Sequence, residues 1–204
     1  PANVTLEILW SNPEWPGRWM VQNVTVPFAA SCDGTPPPPA GLKTINFETV
    51  GQDWAWTLFE NGDNAPALYS VVANPSVAGV NTSATVAKYV VNTNGQPWAG
   101  LWSNDLPDFT FSADNSIVKV MVYKDVISDF TVKFENDNSS VAFEKKVPNT
   151  VINQWEELTF DFSDKIGTAV SRLVIIPDFP ATRTAGSTNY WDNISFNSGT
   201  PPVA

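Results

Sequence analysis

Two stretches of this chain alternate between the faces of an extended backbone: Lys119-Val120-Met121-Val122-Tyr123-Lys124 and Leu158-Thr159-Phe160-Asp161-Phe162. Successive side chains on a strand point to opposite sides, so a period of two specifies strands with one face inward and one outward. Similar β-prone runs recur along the chain. Candidate strands are 44–48, 54–60, 68–73, 83–91, 98–103, 109–112, 117–123, 129–135, 141–147, 155–161, 172–176 and 190–196. Asn-Gly, Gly-Asp-Asn, Asn-Pro and Asp-Asn turns separate them. No long segment has helical periodicity, and no internal repeat is visible. Many short strands with regular turn signals predict an all-β protein, a β-sandwich jelly roll of two antiparallel sheets.

Before this series, Val4 to Trp10 and Arg18 to Val26 are β-prone, and Asn12 to Gly17 between them is turn chemistry, which predicts a β-hairpin. Thr35 to Ala40 contains four consecutive prolines, a semi-rigid polyproline spacer. The expected organisation is a hairpin, or the tail of an upstream module, over 1–34, a Pro-rich linker over 35–42, a β-sandwich over 43–197 and a tail over 198–204. The chain begins at Pro1 without methionine, and it is expected to be part of a larger multi-modular protein. Cys32 is the sole cysteine, so no intrachain disulfide forms. Ala29-Ala30-Ser31-Cys32 is faintly like a lipoprotein processing site, but the apolar run such a site needs is missing. No stretch has the ~20 apolar residues of a membrane span.

Charged residues are 16 % of the chain and the net charge is −10, so Asn, Thr and Ser fill much of the surface. This argues against nucleic acid as partner, because phosphate neutralisation needs Lys and Arg. Nine tryptophans and no histidine leave many flat apolar rings and no neutral-pH proton shuttle. A Ser-His-Asp triad cannot be built, Cys32 has no histidine to activate it, and no Glu-x-Asp-x-x-Glu strand motif is present. These features predict a protein that binds and does not cut.

Ile45-Asn46-Phe47-Glu48, the run Asn81 to Tyr89, the run Trp155 to Phe162 and Tyr190-Trp191-Asp192-Asn193-Ile194 occur in that order. The ordered set resembles the galactose-binding-like jelly-roll carbohydrate-binding modules of the family 4, 6, 9 and 22 type. It is most similar to modules of surface glycan-binding proteins and laminarinases of marine Bacteroidetes. The resemblance covers about residues 43 to 197. It implies a non-catalytic module, extracellular or on the bacterial outer-membrane surface, recognising a neutral β-glucan such as laminarin, a β-1,3-glucan. It also implies a structural Ca2+ tying the first strand to the last. Glu48 and Asp192 map to the acidic ligands, and Asn81 and Ser83 to the loop that adds oxygens, which suits a cation that takes six to eight hard oxygen ligands. Without the resemblance, Glu48 and Asp192 are equally surface residues at strand ends.

A pyranose offers an apolar face to an aromatic ring and hydroxyls to polar side chains. Trp98 and Trp102 lead as platforms, because residues four apart on a strand share a face at about 13 Å. Each has a core alternative. Trp56 and Trp191 are reserves, whereas Trp155 and Trp54 are expected in the core. Asn61, in the polar loop Glu60 to Asn64, and Arg183, near Asp178, are the candidate polar partners; the alternatives are an ordinary turn and a surface ion pair. The competing reading is a structural or adhesion module without a sugar site.

Overall fold

A computed structural model of the chain describes residues 3–11, 19–27, 44–48 and 54–197. Trp15, Cys32, the proline linker and the 198–204 tail lie outside the described residues. The chain divides into two compact units, Pro1–Gly41 and Leu42–Ala204. In the first, β1 (Asn3–Ser11) and β2 (Trp19–Pro27) pair antiparallel from Asn3↔Pro27 to Ser11↔Trp19, the expected hairpin.

The second unit is a jelly-roll β-sandwich. Its strands are β3 (Thr57–Phe59), β4 (Tyr69–Ala73), β5 (Thr85–Val91), β6 (Gly100–Ser103), β7 (Phe109–Thr110), β8 (Ile117–Lys124), β9 (Asp129–Glu135), β10 (Ala142–Pro148), β11 (Trp155–Asp161), β12 (Ala169–Val170), β13 (Arg172–Phe179) and β14 (Ser187–Asn197). Sheet I has the order β11-β8-β14-β5-β4 and sheet II the order β10-β9-β13-β6-β3, with every pairing antiparallel. β7 and β12 form a small separate pair, and single 3-10 turns occupy Pro66–Leu68 and Ser163–Lys165. The expected opening strand over 44–48 is reduced to one bridge, Ile45↔Ile194, which still ties the start of this unit to its end. Among the described residues, no helix is long and apolar enough to cross a membrane.

Alternation sorts the two faces of each sheet. Val118, Val120 and Val122 of β8 and Phe130, Val132 and Phe134 of β9 are buried between the sheets. Leu101 of β6 and Leu173 and Ile175 of β13 complete that inner layer on sheet II. The outer face of sheet II therefore carries Trp102, Val174, Lys133 and Glu144 in one cross-strand row, since Trp102 pairs with Val174 and Thr57, Val174 with Lys133, and Lys133 with Glu144. The adjoining row is Phe59, Gly100, Ile176, Thr131 and Lys146. The loops β3–β4, β5–β6, β8–β9, β10–β11 and β13–β14 gather at one end of the sandwich, the end that β5 and β8 run toward.

Candidate functional site

Trp98 stands apart from the other aromatic residues. At 45 % it is the one exposed aromatic ring among the described residues 44–48 and 54–196 of the second unit. It sits in a turn closed by the Ala99 amide donating to the Gln96 carbonyl at 3.0 Å, and β6 starts only at Gly100. Strand alternation therefore does not relate Trp98 to Trp102, and the strand geometry from which a spacing of about 13 Å is expected is absent at Trp98. A Pro-Trp step in a turn ends the extended geometry that the spacing needs.

The turn is held by Arg183. Its Nε donates to the Gln96 carbonyl at 3.1 Å, and Nη2 donates to the Pro97 carbonyl at 3.3 Å. Nη1 donates to the Asp178 carboxylate at 2.7 Å, and Nη2 also reaches the Asp178 carbonyl at 2.7 Å. The Arg183 and Asp178 side chains are only 2 % and 4 % exposed. Arg183 is thus neither a free donor to a ligand nor one half of a surface ion pair, because all three of its nitrogens are engaged below the surface. Ser187 and Ser128 donate to the same carboxylate, and buried Lys124 donates to the Ser128 carbonyl and hydroxyl at 2.8 and 2.7 Å. Burial opposes the charge on Asp178, and hydrogen bonds from Ser128, Ser187 and Arg183 overcome it, leaving the carboxyl below the usual range.

From this turn the chain enters β6, and Trp102 projects onto the outer face of sheet II. The Arg172 guanidinium lies 4.8 Å from its ring centroid. Arg172 is in turn fixed by Asn104 at 2.8 Å and Glu135 at 3.3 Å. Lys146 lies over the Phe179 ring at 3.4 Å. The charged groups are paired: Lys133 with Glu135 at 2.6 Å and Lys146 with Glu144 at 3.2 Å. Gly100 is required at the centre, because a β-carbon there would meet the Ile175 carbonyl at 2.5 Å, Ile176 Cγ1 at 2.9 Å and Phe59 Cζ at 3.0 Å. Phe59, Phe179, Arg172, Lys133 and Lys146 escaped sequence reasoning. The signal was the parity of β9, β10 and β13, which becomes informative only once the inner face is known.

Three other candidates face elsewhere. Trp191 is fully buried, edge-on to Phe47 at 6.4 Å and to Trp56 at 6.2 Å, so its ring is core and no platform. Trp56 alternates away from Thr57 and packs with Trp54, Tyr69 and Trp191, so it also faces inward. Asn61 is fully buried: Nδ2 donates to the Val90 carbonyl at 3.0 Å and Oδ1 accepts from the Asn92 amide at 2.7 Å. It stitches two loops together and offers nothing to solvent. Trp155 is buried as expected but lies outside the inter-sheet core, on the outer face of sheet I beside Tyr123, with Nε1 donating to Asn74 at 2.9 Å.

The residues assigned to a metal do converge. Asp192 is fully buried on β14, and its Oδ2 accepts from Asn81 and Asn193, each at 3.1 Å. Asn193 also reaches Ser83 at 3.4 Å, and the Ser83 amide donates to Asn81 at 2.9 Å. Glu48 Oε1 accepts from the Thr85 amide at 2.7 Å, and Thr85 donates its hydroxyl to the Phe47 carbonyl at 2.7 Å. Asp192 Oδ1 is buried with no hydrogen-bond partner. Burial, with a smaller contribution from the Glu48 charge, pushes the Asp192 carboxyl up. An orphaned carboxylate oxygen near a second carboxylate and several neutral oxygens fits a hard divalent cation. Among the described residues no three acidic, Cys or His side chains gather, so such a site rests on two carboxylates plus neutral oxygens.

No protein-family model matches the chain, and no curated protein matches it. Among solved structures the chain is similar to the xylan-binding domain CBM22-1 of Paenibacillus barcinonensis, at 16 % identity, 79 % coverage of this chain and 97 % of that one, with a TM-score of 0.45. It is also similar to the module TmCBM61, solved in complex with β-1,4-galactotriose, at 10 % identity, 71 % and 88 % coverage and a TM-score of 0.42. A third similar structure is a CBM4 module, at 16 % identity, 70 % and 85 % coverage and a TM-score of 0.41.

Proposed function

We propose that the sandwich is a non-catalytic, extracellular carbohydrate-binding module whose glycan rests on Trp98 and continues over the outer face of sheet II. The observation that carries this reading is the exposed Trp98 ring, held on a turn that a buried guanidinium fastens. A rigid ring left in water on a fixed support is preorganised to stack on a flat apolar surface, and a pyranose face is one. Beyond it, Arg172, Lys133, Glu135 and Glu144 offer donors and acceptors to hydroxyls. Each cation has a carboxylate partner, Lys133 and Arg172 sharing Glu135 and Lys146 taking Glu144, so no carboxylate is left without a cation, which suits an uncharged polymer. Laminarin is the first glycan to test, on the strength of the motif resemblance, with Ca2+ at Glu48, Asp192, Asn81 and Ser83 as a structural ion. Titration calorimetry with soluble laminarin, mixed-linkage glucan and xylan tests the reading: heat saturating with one of them supports it, and none with any removes it.

The Arg172 guanidinium over Trp102 favours a second reading, a structural or adhesion module in which the Trp102 ring is already covered. In that case Arg172→Ala leaves all glycan responses flat; under the first reading it changes the affinity.

A further inference from the structure

We infer that Arg183 is the positioning residue for Trp98, and that Asp178 is the anchor from which it acts. This rests on the reading of Trp98 as a glycan platform. Other ties of the β5–β6 loop hold the part before Pro97: the Gly95 amide donates to the Asn92 carbonyl at 3.0 Å, Asn92 bonds Asn61, and the Gln96 amide donates to the Glu60 carbonyl at 2.7 Å, while the Gln96–Ala99 bond closes the turn itself. The two carbonyls immediately before Trp98 both accept from one guanidinium, whose planar fork spans them and the carboxylate together. Asp178 cannot swing away, since it is held by Ser128, Ser187 and Arg183 at once. The chain thus ties the β13–β14 loop to the β5–β6 turn below the surface and leaves the tryptophan above it uncovered. Ring placement is set by a residue that never touches the ligand.

Arg183→Lys separates this role from simple stability. An ammonium keeps a charge against Asp178 but lacks the fork that reaches both turn carbonyls. Arg183→Ala is unsuitable alone, because it strands a buried carboxylate and destabilises the fold. Affinity for soluble laminarin, mixed-linkage glucan and xylan is measured for wild type, Arg183→Lys, Trp98→Ala and the double variant. Fluorine NMR of 5-fluorotryptophan-labelled protein follows the nine rings, with Trp98 assigned by its loss in Trp98→Ala. We expect Arg183→Lys to weaken binding about tenfold. It should shift or broaden the Trp98 resonance while Trp155 and Trp191 stay in place, and add no loss on top of Trp98→Ala. An unmoved Trp98 resonance with wild-type affinity overturns the inference while leaving Trp98 as the platform. An equal loss in the Trp98→Ala background overturns it too, since Arg183 then acts elsewhere. Wild-type affinity in Trp98→Ala removes the platform reading itself, and the inference falls with it.

Discussion

Asp192→Asn probes the proposed metal site, which predicts effects of opposite sign in two buffers. In wild type the carboxylate is fully buried, one oxygen takes two amide donors and the other takes none. Without a cation, an unsatisfied buried polar atom costs about 1–3 kcal/mol, and more when charged. The amide variant removes the charge, so in EDTA it should be at least as stable as wild type. With Ca2+ at a hundred times its dissociation constant, wild type gains about 2.7 kcal/mol. For a domain of this size that is a rise in Tm of about 5–11 °C. The variant should gain little. The order of the two melting temperatures therefore inverts between EDTA and Ca2+, and differential scanning calorimetry reads it directly. A wild type that melts identically in both buffers, with Asp192→Asn below it in each, would refute the reasoning. Asp192 would then be a structural acid sustained by its amide partners alone.

Gly100→Ala places a methyl group against the Ile175 carbonyl at the centre of sheet II. It should cost about 1–3 kcal/mol in urea unfolding, and unchanged stability would show that β6 and β13 part freely. Burial lowers Lys124 to about 8 against nearby Asp178, Asp129 and Asp125. The unfolded chain then holds the extra proton between pH 8 and 10.5, so stability rises with pH there, by about 3 kcal/mol if carried to completion. Buried Tyr89, pushed well above its usual value, opposes this above pH 10, where the unfolded phenol ionises first. Chemical denaturation at pH 7.5 and 9.5 should show the rise in wild type and lose it in Lys124→Met. Trp191→Ala should destabilise by about 3–5 kcal/mol, as a buried aromatic does, and glycan affinity of the folded fraction should be unchanged.

The fold was largely legible because period two is a local signal. The runs 129–135 and 155–161 became β9 and β11 with the same bounds, since each alternates cleanly between turn residues. β12 was missed because two residues carry no period. The 98–103 run was over-extended because Pro97 and Trp98 turn before the strand begins. Site residues were harder. Trp191 and Asp192 are neighbours on β14, and both are fully buried: parity alone puts them on opposite faces, and only the three-dimensional cover over Asp192 removes it from solvent. Asn61 and Arg183 were sensible hydrogen-bonding types whose capacity is consumed by backbone carbonyls far away in sequence. A sequence lists such donors without showing what has already claimed them.

Affinity electrophoresis tests the central claim most directly, running wild type and Trp98→Ala through gels containing laminarin, mixed-linkage glucan, xylan or alginate. Wild type should be retarded by a neutral glycan, and the variant, weakened about thirtyfold or more by loss of its stacking ring, should migrate as in a plain gel. Wild type unretarded on every neutral glycan, or retarded equally with Trp98→Ala, would contradict the account.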